Sequence, residues 1–182
     1  MSSLTVYHQS SPDLPNKVLT HAEDIASTLA AVGVQFAQVP VQQAVVAGGD
    51  EAELLDACRG QLDQLLSQYA YPSVAVLSLC DEQGRSSEPR ASLRQEQRCA
   101  VAQLRYCLAG RVQLSLHIDD YVYALLCEKN DLLVLPAGTR YWLDIGEHPR
   151  CALLGLFDSP QVPVAELSGD GIAERFAGLD DY

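Results

Sequence analysis

Five polar side chains stand in two short stretches of the chain. Gln97, Cys99, Gln103 and Arg105 lie in EQRCAVAQLRY (96–106), and Tyr141 follows a turn in PAGTRYW (136–142). On a strand, residues two apart point to the same face, so the four odd-numbered side chains are expected to share an inward face with Tyr141 opposite. The set holds a potential nucleophile (Cys99), a proton donor (Tyr141), a cationic anchor (Arg105) and two amides that can orient a ligand. A thiol beside a guanidinium is more readily ionised, and a phenol near arginine can act as acid or base. No histidine is placed to serve Cys99 as a base, so a small buried thiol filling space is the plain alternative. Polar groups in an interior are costly unless they hydrogen-bond to each other, to water or to a ligand. A wet pocket, with Arg105 anchoring an anionic or carbonyl group, is therefore expected. Arg98 and Arg140 alternate with these positions and are expected on the rim as solvated charges; a carboxylate or phosphate clamp at the mouth is the other reading.

The elements that must position these residues change character along the chain. LTVYH (4–8) reads as a short strand, and Thr20 with Glu23 forms a capping-box pattern before HAEDIASTLAAVG, with Gly33 where a terminating glycine would sit. VQFAQVP (34–40) alternates as a strand does. Leu55, Cys58, Leu62, Leu65, Leu66 and Tyr69 recur at three and four, which predicts one helix over Asp50–Tyr69. From Pro72 the period shortens to two. Segments 72–80, 101–110, 111–118, 121–127, 131–136, 140–146 and 151–158 read as strands, and their short turns predict a closed or sandwiched antiparallel sheet with two helices packed outside it. The polar stretch 81–98 is expected to be a working loop or a flap. SGDGIAERFAG (168–178) reads as a short helix capped by Ser168 or Asp170. A single domain over 1–182 is expected, with a strand and helix region at 1–71, a barrel at 72–158 and an extension at 159–182.

The spacing of the two polar stretches resembles the paired motifs of cupins, HxHxxxE and PxGxxH. There, two imidazoles, a carboxylate and a third imidazole from a facing strand make a metal site suited to Fe(II), Ni(II) or Mn(II). Here the stretches read Gln97-x-Cys99-xxx-Gln103 and Pro136-x-Gly138-xx-Tyr141, with Gly110 in the matching place. The whole chain resembles the acireductone dioxygenase family of methionine salvage. The likeness is carried by HAEDIASTLAAVGVQF, LHIDDYVYALLCEKNDLLVLPAGTRYW, LFDSP (156–160) and SGDGIA (168–173). It implies a mainly β fold with added helices, a cupin double-stranded β-helix or jelly-roll barrel, and chemistry on an acireductone oxidised by O₂. The family's signatures are close to EHTHGxDEVR and PAxTPHWFD. Glu96, Arg105, Trp142 and Asp144 keep the family's residue, whereas Gln97, Cys99, Gln103 and Tyr141 stand at the four ligand positions. Amides and a neutral phenol are poor ligands for a divalent transition metal. The departures at these positions thus leave catalytic candidates Cys99, Tyr141 and Arg105, ligand-binding candidates Gln97, Gln103, Glu96, Arg105 and Trp142, and no metal or other cofactor expected.

Composition narrows the rest. Of 182 residues, 24 are acidic and 12 are lysine or arginine, a formal charge of −12. Duplex nucleic acid and anionic membrane surfaces are disfavoured partners, since both are bound through basic residues. No apolar run reaches the roughly 20 residues of a spanning helix, and the start of the chain does not read as a signal peptide; a cytoplasmic protein is expected. The six cysteines form no CxxC pair and read as small core hydrophobes. His8, His21, His117 and His148 are scattered without ligand spacing. Two readings follow. In one, the chain is a metal-free small-molecule-binding protein or a metal-independent enzyme. In the other, it still oxidises an acireductone by other means. A small molecule in the barrel is the expected partner, and an oligomer is left open.

Overall fold

The computed structural model describes residues 1–84 and 87–182. Its strands are β1 (Ser3–His8), β2 (Pro15–Leu19), β3 (Gln35–Gln38), β4 (Ser73–Cys80), β5 (Gln97–Arg98), β6 (Gln103–Ile118), β7 (Tyr121–Glu128), β8 (Asp131–Leu135), β9 (Arg140–Asp144), β10 (Arg150–Phe157) and β11 (Glu166–Leu167). The helices are α1 (Ala22–Ala30), α2 (Glu51–Ala57), α3 (Arg59–Tyr69) and α4 (Glu88–Leu93). All the strand pairings are antiparallel. One sheet runs β11-β5-β9-β6-β7-β1-β2. The other places β4 beside β10, β10 beside β6, β6 beside β8 and β8 beside β3. The fold is a mainly β cupin barrel with few helices.

The 16-residue strand β6 belongs to both sheets. Residues 103–110 pair with β8 and β10, and 111–118 pair with β7 and β9. The corner lies at Gly110, in the left-handed region at φ 68°. A β-carbon there would clash with the Arg150 carbonyl oxygen. Beside it the β6–β10 register slips by one residue, since Ala109 faces Ala152 but Cys107 faces Leu153. A bulge of this kind lets a strand switch sheets, and it inverts parity. Before the corner, odd-numbered Cys107 lies in the main core and even-numbered Leu104, Tyr106 and Leu108 face outward; after it, Val112, Leu114 and Leu116 face inward.

The outward faces are covered. Leu54, Cys58 and Leu65 of the helical segment pack over Leu104, Tyr106, Leu154 and Leu156 on one sheet. Ile172, Ala173 and Phe176 pack over Tyr7, Val122 and Trp142 on the other. Helix α1 packs against the barrel from outside by one face, with Glu23, Asp24, Ser27 and Ala30 exposed. Its Ile25 and Leu29, one turn apart, are fully buried in the main core, and β1, β2 and β3, all from the first 71 residues, are strands of the two sheets.

Other local expectations are corrected. The single helix over 50–69 breaks at Cys58 (φ −101°, ψ 15°) just before Gly60, a weak helix former. The Thr20–Glu23 capping box does not form: the N-cap is His21, with no side-chain cap, which puts Thr20 outside the helix. Stretch 81–98 is not merely a loop, because it contains α4 and β5, while Arg85 and Ser86 lie outside the described residues. The segment after Ser168 forms a 3-10 turn, Gly171–Arg175, with Asp170 accepting from the Ile172 N–H at 3.0 Å. Five cysteines are buried as expected, but Cys80, at the end of β4, is exposed. Among the described residues no helix is long and apolar enough to cross a membrane.

Gly110 and Gly138 separate two costs. Both have positive φ, but a β-carbon at Gly138 would meet nothing within 4 Å. Gly138→Ala is expected to cost about 1 kcal/mol for the left-handed backbone alone. Gly110→Ala adds a backbone clash and is expected to cost about 2–4 kcal/mol. Urea unfolding of the two variants measures the difference.

Candidate functional site

Short strands and one turn gather the polar residues. Gln97 on β5 pairs with Tyr141 on β9, which pairs with Leu116 on β6. The Gly138 N–H donates to the Cys99 carbonyl at 2.8 Å, tying the Pro136–Tyr141 turn to the first polar stretch. Cys99, Gln103 and Tyr141 are buried, and Gln97 and Arg105 are half-buried. Across the barrel wall, Gln103 faces Phe157 and Leu135, and Arg105 faces Gly155 and Leu133.

Arg105 organises the interior. Its Nε–H donates to Gln103 Oε1 at 3.0 Å, and Nη2 donates to the Tyr141 hydroxyl at 3.4 Å. The guanidinium carbon lies 5.2 Å from the Phe157 ring centre and 5.9 Å from that of Tyr141, within cation–π range. The interior polar groups thus bond partly to each other. Cavities of about 10–360 Å³ open on the described surface away from these five side chains, one of them lined by Glu96 with Arg94 and Asp170.

Two candidate residues lie elsewhere. Glu96 and Trp142 each neighbour an inward residue, so strand parity turns them to the other side of the sheet. Trp142 packs against Phe176, with ring centres 6.2 Å apart. Glu96 Oε2 lies 2.5 Å from His117 Nδ1, both side chains buried. Gln9 bonds to His117 Nε2 through Oε1 at 3.0 Å, and its Nε2 donates to Asp120 at 3.2 Å. His117 is therefore a structural partner of Glu96. Arg98 is exposed and Arg140 half-buried, as rim positions require.

On the same outward side, sequence reasoning missed a second charged cluster. Asp144 accepts from Arg90 Nε at 2.8 Å and Nη2 at 3.1 Å, and from the Gly146 and Leu179 N–H groups, each at 3.0 Å. Arg94 Nε approaches it at 3.7 Å. The cluster pins α4, and with it the stretch leading to Gln97, to β9. The signal available in the sequence was four-residue spacing of Arg90 and Arg94, which places both on one face of a helix. Among the described residues no group of three or more His, Cys, Asp or Glu side chains is placed to hold a metal ion. Burial pushes the thiols of Cys107 up to about 12 and Cys151 to about 11, so both are protonated at neutral pH and unsuited to nucleophilic work.

Comparison with known proteins bears on this arrangement directly. The sequence profile of the ARD/ARD′ family matches residues 7–165. The chain belongs to that family. It is 49% identical over 181 residues to "Acireductone dioxygenase" of Pseudomonas fluorescens strain Pf-5, with both chains covered in full. The protein of the same name from Pseudomonas syringae pv. tomato is also 49% identical at full coverage. Among solved structures, "Acireductone dioxygenase from Bacillus anthracis with cadmium ion in active center" superposes with a TM-score of 0.70, covering 90% of this chain and 98% of that one at 14% identity. That likeness shows the ARD/ARD′ barrel as a fold.

The Asp144 cluster sets an expectation in acid. Burial opposes ionisation of Asp144, but the hydrogen bonds from Arg90 and from the Gly146 and Leu179 N–H groups outweigh it and hold the carboxyl below its usual range. A depressed folded value means that the stabilisation is complete above the unfolded carboxyl's pKa of about 3.9 and is lost as pH falls through the folded value. Asp144→Asn is expected to cost about 2 kcal/mol at neutral pH. The gap from wild type should narrow as pH falls below the usual carboxylate range and Asp144 takes up its proton, as read by acid-dependent urea titrations.

Proposed function

We propose that this chain is a metal-free member of the acireductone dioxygenase family, a single cupin domain over residues 1–182 that binds a small molecule in its barrel. The observation that carries the reading is the bonding of Arg105. Two of the four side chains at the family's ligand positions, Gln103 and Tyr141, turn their oxygens to a guanidinium. The cation those oxygens serve is thus part of the chain itself. The remaining donors are the Gln97 amide and the Cys99 thiol, and one soft ligand among amides and a phenol does not fit Fe(II), Ni(II) or Mn(II).

What the chain's own residues can do is bind and orient. Arg105 offers positive charge in a partly desolvated interior, Gln97 and Gln103 offer amides, and Tyr141 offers a hydroxyl. Cys99 and Tyr141 are the candidates for a nucleophile and a proton donor if the pocket performs metal-independent chemistry. The second reading, acireductone oxidation by other means, draws its support from the full-length 49% identity to proteins named for that activity.

Elemental analysis of protein purified without chelator separates the readings. Far less than one Fe, Ni or Mn per chain is expected, before and after incubation with each ion and desalting. Near one ion per chain, lost on Gln103→Ala, would overturn the proposal. The combined replacement Gln97→His, Cys99→His, Gln103→Glu and Tyr141→His is expected to recover retention of about one ion, since it supplies a His₃/carboxylate set. O₂ uptake with an acireductone by the metal-free wild type would favour the second reading.

A further inference from the structure

A row of charged and titratable side chains crosses four neighbouring strands on the outward face of the sheet. Glu166 on β11 stands opposite Arg98 on β5, Arg98 opposite Arg140 on β9, and Arg140 opposite His117 on β6. Residues directly opposite on antiparallel strands share a face, with β-carbons about 5 Å apart. The two arginines are therefore held side by side. Like charges in that position destabilise a sheet, so the pair needs a reason.

The acids nearby do not neutralise it. Neither Arg98 nor Arg140 has an ion pair or a side-chain hydrogen bond among the described residues. Glu166 faces Arg98 in register but forms no ion pair with it. Glu96, two residues from Arg98 on the same face, gives its Oε2 to His117 at 2.5 Å. By contrast, Arg90 and Arg94 on the same side of the sheet both meet the Asp144 carboxylate. Arg140 is half-buried, and a charge taken partly out of water without a counter-ion is costly until an anion meets it.

We infer that Arg98 and Arg140 form a clamp for the phosphate group of a small soluble ligand. Two guanidinium forks that converge on one anion need acceptor oxygens in more than one plane. A carboxylate has two coplanar oxygens, which a single fork occupies, whereas a phosphate offers a tetrahedral set from which each arginine takes its own. A lipid surface fits less well, because the rest of the chain, with a formal charge of −12, is repelled by anionic headgroups. A small phosphate ester needs only the local field of the pair. The clamp lies on the outward face, away from the Arg105 interior, and is independent of whether the barrel holds a metal.

Calorimetric titration with glycerol 3-phosphate and pyrophosphate tests this, with acetate and chloride as controls at matched ionic strength. Saturable binding of both phosphates is expected, and acetate and chloride are expected to bind about tenfold more weakly or less. Arg98→Gln and Arg140→Gln should each weaken phosphate binding about tenfold or more, and the double variant should abolish it. Arg98→Lys should restore only part, since a point charge replaces a fork. In phosphate-free buffer the double variant is expected to unfold at the wild-type temperature or above it, because a like-charge contact is removed. Pyrophosphate should then raise the midpoint of the wild type and leave that of the double variant unchanged. Failure of both phosphates to bind, acetate or chloride binding as tightly, or phosphate affinity that survives the double substitution would overturn the inference. Sedimentation with phosphatidylcholine vesicles containing phosphatidic acid is the last arm. Retention there without binding of the soluble phosphates would overturn the soluble ligand and assign the pair to a lipid headgroup.

Discussion

Where β6 turns its corner, the Arg150 carbonyl occupies the place a side chain at position 110 would need, and the arrangement of the barrel follows from that contact. Because the corner carries no side chain, one strand can pair with β8 and β10 at one end and with β7 and β9 at the other. The accompanying bulge moves the inward positions from odd to even numbers. Without that shift, continuous alternation would bury Gln113, Ser115 and His117 in the main core and expel Leu114 and Leu116. The two halves of β6 can therefore carry different cargo: polar Gln103 and Arg105 near one end, an unbroken aliphatic stripe from Val112 to Leu116 at the other.

Charge is handled differently on the two sides of the wall. Outside, Asp144 collects two arginines and two backbone N–H groups, so each buried charge has an opposite charge in contact. Inside, Arg105 is met only by an amide oxygen, a hydroxyl and two aromatic faces. Dipoles and ring quadrupoles orient a cation but do not neutralise it. Buried Asp131 is handled as Arg105 is, by neutral groups: it accepts from Ser2, Gln38 and the Glu128 N–H.

Much of the barrel was legible in the sequence, because half-buried antiparallel strands alternate and their turns carry Gly, Asp and Asn. What was not legible has local causes. Strand β2 is almost wholly exposed and shows no apolar alternation. The 101–110 and 111–118 segments looked like two strands since Ala-Gly-Arg resembles a turn, whereas Gly110 is a corner within one strand. Helix α4 is short and contains no buried residue, so polar composition concealed it. At the site, parity correctly grouped Gln103, Arg105 and Tyr141. The same parity places Glu96 and Trp142 on the other face of the sheet; resemblance preserves identity along the chain but does not say which face a residue serves.

Polarity at positions 97, 99, 103 and 141 is not in itself a sign of a ligand. Arg105 in a partly buried interior already demands acceptors, and a leucine at position 103 would leave its Nε–H unmet at a cost of roughly 1–3 kcal/mol. Gln103 and Tyr141 are thus accounted for by the arginine whether or not anything else enters the barrel. The glycine at position 155 is accounted for in the same way: Arg105 Nη1 and the Phe157 ring pack where its side chain would stand, each 3.2 Å from the place of a β-carbon.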